Sequence, residues 1–176
     1  MASSTYNYGY CMEYLPVRYS ANEEQRKNRK EIYNFKDGIC SSRIKDFIIR
    51  EVKSRVGYYA SNWCVCFIPA STDYKTSKRY KELAEAIRRE VGCACSSDMI
   101  SNKCDRESGH LSGKKSNPSE DFVFDSSIRG KNIILIDDVI TRGRTFVTTA
   151  NKLEDLGANS VVGLFVAKTI NPDWNS

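Results

Sequence analysis

The spacing of apolar residues changes along the chain, and each change predicts an element. Residues 1–20 are rich in Tyr (Tyr6, Tyr8, Tyr10, Tyr14, Tyr19), and Pro16 interrupts any helix, which predicts an extended arm packed over the core. Residues 22–35 are helical in composition but nearly all polar until Ile32, Tyr33 and Phe35, so this helix meets the body at its carboxyl end. Beyond the break at Asp37 and Gly38, Ser41 or Ser42 caps a helix whose apolar residues Ile44, Phe47, Ile48, Val52 and Val56 recur at helical spacing, with Gly57 ending it.

The remainder alternates between strand and helix periods. Residues 63–68 predict the first core strand, stopped by Pro69. A helix over residues 77–91 places Tyr80, Leu83, Ala84, Ile87 and Val91 on one stripe and closes at Gly92. Short strands are expected at residues 93–96 and 122–124. Between them, residues 98–120 lose periodicity and read as a long mobile loop. Ile133, Ile134, Leu135 and Ile136 form a continuous apolar run, as a strand buried on both faces of a parallel sheet requires. Phe146, Ala150, Leu153 and Leu156 share a helical face closed by Gly157, and a last strand covers residues 161–167. This order predicts an α/β fold with right-handed crossovers and a mainly parallel sheet. Residues 61–176 form the core, and residues 1–60 pack on it without being an independent domain.

The chain has 176 residues and a formal charge of +5. That balance suits a polyphosphate ligand without demanding nucleic acid. Arg26, Lys27, Arg29 and Lys30 are flanked by Glu23, Glu24 and Glu31 and read as an ion-paired, solvated helix face. No stretch approaches eighteen apolar residues and the first residues lack a basic region followed by an apolar one, so a soluble cytoplasmic protein without a membrane span is expected. The odd number of cysteines, seven, argues for reduced thiols. Cys64/Cys66 and Cys93/Cys95 have one intervening residue, too few for an ordinary zinc knuckle, and read as small core residues.

Chemistry concentrates in residues 133–146, IILIDDVITRGRTF. Asp137 and Asp138 follow the apolar run, and adjacent residues of an extended chain point to different sides. Together they can accept from vicinal hydroxyls or hold hydrated Mg²⁺. Thr141, Arg142, Gly143, Arg144 and Thr145 then supply a tight turn, hydroxyls, guanidinium groups and the start of a helix, which are the components of a phosphate site.

That segment resembles the phosphoribosyl pyrophosphate (PRPP) signature of type I phosphoribosyltransferases, and the strand and helix order resembles their fold. The basic front end and FIPASTDYKTSKRYKELAEAI, with Pro69, Lys78 and Arg79, look most like the ComF-like branch, although that branch's paired CxxC zinc ribbon is absent. The resemblance implies Mg²⁺-dependent transfer of phosphoribosyl from PRPP to a nucleobase or amine with release of pyrophosphate. Thr141 to Thr145 would hold the 5-phosphate, and Asp137 and Asp138 would meet the ribose hydroxyls and the metal, directly or through water. The turn containing Ala70, Ser71, Thr72 and Lys75, joined by Thr76, Lys78 and Arg79, would meet the pyrophosphate. Lys103, Arg106, Lys114 and Lys115 are lid candidates, and Phe67, Tyr74, Phe122 and Ile140 are candidates to stack on an acceptor. Thr141 stands where 6-oxopurine enzymes carry a basic Asp, which counts against that substrate class. The alternatives are a catalytically silent PRPP or nucleotide sensor, or a DNA-handling accessory protein of a bacterial defence or DNA-uptake system; a homodimer or a partner protein is compatible with each.

Overall fold

The computed structural model describes residues 5–104 and 118–175; Arg106, Lys114 and Lys115 of the expected lid lie outside the described residues. The elements run β1 (Tyr8–Tyr14), α1 (Glu23–Lys36), α2 (Ser42–Val56), β2 (Trp63–Phe67), α3 (Asp73–Val91), β3 (Ala94–Cys95), β4 (Ile100–Asn102), β5 (Phe122–Phe124), β6 (Asn132–Ile140), α4 (Arg144–Asp155) and β7 (Ser160–Thr169). Five strands form one sheet in the order β1-β7-β6-β2-β3, and every pairing in it is parallel. Strands β4 and β5 form a separate antiparallel ribbon.

Strand β6 is the centre of the molecule. Its even residues Ile134 and Ile136 join a core with Val65, Phe67 and apolar residues of α1, α2 and α3, while Ile133 and Leu135 join a second core with Cys64, Cys66 and α4 residues. The unbroken apolar run therefore reflects burial on both faces. The same alternation puts Cys64 and Cys66 in one core and Cys93 and Cys95 in the other, so the two pairs cannot share a metal. Burial raises the Cys95 thiol above its ordinary value. No group of three or more His, Cys, Asp or Glu residues able to hold a metal occurs among the described residues. No described helix is long and apolar enough to cross a membrane.

The front segment differs from an arm lying over the core. Tyr8 pairs with Gly163 and Tyr14 with Thr169, making β1 an edge strand that satisfies its backbone against β7 and buries Met12. Asn22 and Gln25 form a capping box that starts α1. Arg29 also departs from the solvated face expected for it: its guanidinium donates to the carbonyls of Leu15, Pro16 and Tyr19 and ties α1 to the connection after β1. Asn28 is buried and donates to the Glu13 carbonyl.

Helix α3 begins at Asp73, earlier than the apolar stripe implied, because Thr72 caps it by accepting from Lys75 N. Phe122 to Phe124 do not extend the main sheet; they pair with residues 100–102, which form a strand within the stretch expected to be a loop. The Asn102 amide explains that pairing: its side chain donates to the Ala70 carbonyl and to Asp73, and its backbone N–H donates to Asp73 as well.

Gly163 lies where α4 meets β7. A Cβ there would sit 2.6 Å from Phe146 Cζ and 2.8 Å from Phe165 Cε2. Gly163→Ala is therefore expected to lower stability by about 1–3 kcal/mol through overpacking, read as an earlier urea midpoint with an unchanged m-value.

Candidate functional site

Parallel pairing aligns the carboxyl ends of β2, β6 and β7 at one edge, where open α/β sheets bind ligands. Strand β6 continues past its apolar run to Ile140, so Asp137 and Asp138 remain in extended backbone, and both reach side chains of α3. Asp138 turns toward α1 and α3: its Oδ2 lies 3.3 Å from Arg79 Nη1 and 3.6 Å from Lys36 Nζ. Its Oδ1 accepts from Val139 N at 2.7 Å. Asp137 lines the cavity on the α4 side, and its Oδ1 accepts from Asp138 N at 2.8 Å and from the Tyr80 hydroxyl at 3.2 Å.

The electrostatics follow from this geometry. Burial pushes the Asp137 carboxyl well above its ordinary value, and the adjacent Asp138 carboxylate adds to the shift; the Asp138 N–H and Arg79 oppose it. Burial and the charge of Asp137 push the Tyr80 hydroxyl upward as well, so it stays protonated and serves as a donor. Tyr80 itself is fully buried and stacks on Phe67, with ring centroids 4.5 Å apart.

After β6 the chain turns through Thr141, Arg142 and Gly143. Gly143 has φ 73°, a left-handed conformation that favours glycine, and it occupies the N-cap of α4 without a capping side chain. Amides of the first helical turn are thus left uncapped by any side chain, and the helix directs its positive end at the cavity. The cavity has a volume of about 470 Å³ and is lined by Asp137, the turn, Arg144, Thr145 and Phe146. Thr141 Oγ1 is hydrogen-bonded to Thr169 Oγ1 at 2.8 Å, joining the turn to the end of β7. The Arg142 guanidinium lies 5.6 Å from the centre of the Trp174 ring, in the turn of helix after β7.

The turn after β2 is built mainly as a helix entrance. Thr72 and Ala70 are buried, Ala70 N donates to Thr76 Oγ1, and Thr76 Oγ1 donates to the Thr72 carbonyl. Ser71 is half-buried and Lys75 exposed. This turn starts beside the acidic strand end, since Ile68 N donates to the Ile136 carbonyl at 2.9 Å.

The structure thus gathers Asp137, Thr141, Arg142, Gly143, Arg144 and Thr145 around one cavity, whose lining includes neither Asp138 nor the turn at residues 70–72. Of the expected lid residues, Lys103 is anchored at the base of the β4–β5 ribbon by its N–H to the Asp121 carbonyl. Among the proposed stacking residues, Phe67 and Phe122 are buried in the two cores, Tyr74 is exposed, and Ile140 lines the cavity. Lys36, the Tyr80 hydroxyl, Asn102 and Thr169 were not legible as site residues. Tyr80 announces itself only as part of an apolar stripe, and Lys36 lies 102 positions before Asp138 with no local pattern to mark it.

No family model matches the chain. A ribose-phosphate pyrophosphokinase of Pyrococcus abyssi is 33% identical over 57 residues, covering 31% of this chain and 20% of that protein's length. Among solved structures, a hypoxanthine-guanine-xanthine phosphoribosyltransferase aligns with 14% identity and a TM-score of 0.37, over 71% of this chain and 62% of the other. A hypoxanthine phosphoribosyltransferase from Staphylococcus aureus aligns with 11% identity and a TM-score of 0.39, over 86% of this chain and 84% of the other.

Proposed function

We propose that the protein is a phosphoribosyltransferase that takes PRPP, with Mg²⁺, and transfers its phosphoribosyl group to a nucleobase or amine, releasing pyrophosphate. The observation that carries this reading is the direct succession, around one cavity, of a carboxylate at a parallel strand end and a helix N-terminus without a capping side chain. A phosphate monoester fits the α4 end, where first-turn amides and the Thr145 hydroxyl donate and Arg144 supplies charge. The Asp137 carboxylate lies on the same side, positioned to accept from ribose hydroxyls. The short match to a ribose-phosphate pyrophosphokinase, a protein named for the same two chemical groups, supports the reading.

The donor set suits Mg²⁺ of the kind that keeps water and shares ligand oxygens: Asp137 and Asp138 offer carboxylates directly or through water, and no denser cluster of acids is needed. When bound, the ion would offset charge on the departing pyrophosphate. The residues themselves bind both ends of the ligand and hold its anomeric carbon in place, so that rate enhancement comes from positioning and fixed dipoles. Within phosphoribosyltransferases, Pro69, the basic start of α3 and the helical front end favour the ComF-like branch.

Incubation of the full chain with PRPP, Mg²⁺ and a panel of nucleobases and amines is expected to release pyrophosphate with at least one acceptor. Arg144→Ala should weaken PRPP binding by about tenfold, the scale of one charge-assisted contact, in isothermal titration. Failure of the parent to bind PRPP would overturn the reading.

The carboxyl of Asp137 also predicts a pH signature. Its folded-state affinity for a proton is raised above that of the unfolded chain, so its contribution to stability is fully present at low pH and is lost as pH rises through the folded value. Asp137→Asn should therefore melt at a higher temperature than the parent at pH 8 without ligand. The gap should close as pH falls toward about 4, where the unfolded carboxyl is protonated too; an equal gap at both pH values would contradict the burial assigned to this group.

A further inference from the structure

Three sulfur atoms meet in the core on the α4 side of the sheet. Cys64 and Cys66 lie on β2 in register with Ile133 and Leu135, before the acidic end of β6. Residues two apart on a strand share a face and are separated by about 6.6 Å along it. Their sulfurs are nevertheless 3.8 Å apart, so the two side chains lean toward each other. Met99 supplies the third sulfur from the connection between β3 and β4: its Sδ lies 3.0 Å from Cys64 Sγ and 4.0 Å from Cys66 Sγ. The Met99 backbone is fixed, because its carbonyl accepts from Asp125 N at 2.8 Å. Both thiols are buried and Met99 is half-buried, so the group has an apolar shell with one side toward solvent. Space filling alone does not require three sulfurs from two elements to converge.

The chemistry of this set is narrow. Two thiols and a thioether are soft donors, which select Cu(I) over the harder divalent ions. A tetrahedral zinc site calls for a fourth donor, and no group of three or more His, Cys, Asp or Glu residues able to hold a metal occurs among the described residues. An ion in the plane of three sulfurs, with bonds of about 2.3 Å, needs sides of about 4 Å. Two sides, at 3.8 and 4.0 Å, have that length already. The third opens through rotation of Met99, whose unbranched side chain adapts readily. Donation from the Cys66 thiol holds the Cys64 thiol below its ordinary value against burial, and Lys131 lowers it further while Asp125 opposes. The same contact and burial push the Cys66 thiol upward, which makes Cys64 the more acidic of the pair.

We propose that Cys64, Cys66 and Met99 form a three-sulfur binding site for a monovalent copper ion. Binding replaces two S–H bonds with two Cu–S bonds, releases two protons to solvent and changes no oxidation state. The loaded group carries a single net negative charge, and Lys131 is the cation that acts on it. The ion ties β2 to the connection leading into β4, so loading stabilises the fold. The site is independent of the phosphoribosyl reading, since none of its three residues lines the cavity at the acidic strand end.

Anaerobic titration of the full chain with Cu(I), in competition with a chromophoric Cu(I) chelator, tests the assignment. In a Cys104→Ser background, which removes the exposed thiol, the chain is expected to hold a single equivalent and to melt at a higher temperature when loaded. Met99→Leu conserves volume and keeps both thiols, and it should weaken Cu(I) binding by about tenfold with PRPP binding unchanged. Cys64→Ala and Cys66→Ala should each weaken it by about a hundredfold or more, whereas Cys11→Ala and Cys40→Ala should match the parent. X-ray absorption at the copper edge of the loaded parent, which depends on no variant, is expected to show three sulfur neighbours. Two sulfurs, or nitrogen or oxygen in their place, would overturn the site, as would parent-like binding in Met99→Leu or in Cys64→Ala, loss of the ion in Cys11→Ala or Cys40→Ala, or zinc held in preference to Cu(I).

Discussion

Two carboxylates in succession at the end of a strand buried on both faces are an electrostatic burden that the fold must meet locally. Burial disfavours the charged form of Asp137, and the neighbouring Asp138 carboxylate disfavours it further. The structure meets the burden by distributing it. Asp138 receives two cations, from α1 and α3, and Asp137 receives a tyrosine hydroxyl and a backbone N–H. These contacts require α1 and α3 to converge on the end of β6, so the packing of the front helices and the composition of the site are one problem. Partly buried pairs of this kind contribute little net stability, and their retention is better explained by what they hold in place.

Donors of two kinds therefore surround this strand end. At α4 the donors are backbone amides left without a capping side chain, and their direction is set by the helix axis. At α3 they are side chains whose positions depend on a carboxylate partner. The first is rigid because secondary structure makes it so. The second is placed by tertiary contacts, including the seat that Gly38 provides for the end of α1. The ribbon formed by β4 and β5 adds a third constraint, since Asn102 pins the turn after β2 through Ala70 and Asp73.

Much of this was legible in residue order. The run Ile133 to Ile136 announces a doubly buried strand, the two Asp residues mark its end, and Gly143 with its Thr and Arg neighbours marks a turn into a helix. The core stripes of α2 and α3 follow from helical spacing. Misreadings arose where pairing partners are remote. The Tyr-rich front segment is a strand only because β7 offers its edge, and Arg29 is a carbonyl clamp only because the chain after β1 folds back over α1. Residues 122–124 have the composition of a core strand, but residues 100–102 claim them.

The amino-acid sequence by itself determined the α/β order, the acidic strand end and the glycine turn into α4, because each depends on neighbours within a few positions. Only the tertiary structure decided that Asp137 and Asp138 meet different partners, that Lys36 reaches Asp138, and that the two cysteine pairs lie on opposite faces of the sheet. The physical reason is common to all three. Strand alternation dictates that adjacent side chains part, but what they meet on each side depends on which helix the fold brings there, and charge at a few ångströms has no counterpart in spacing along the chain.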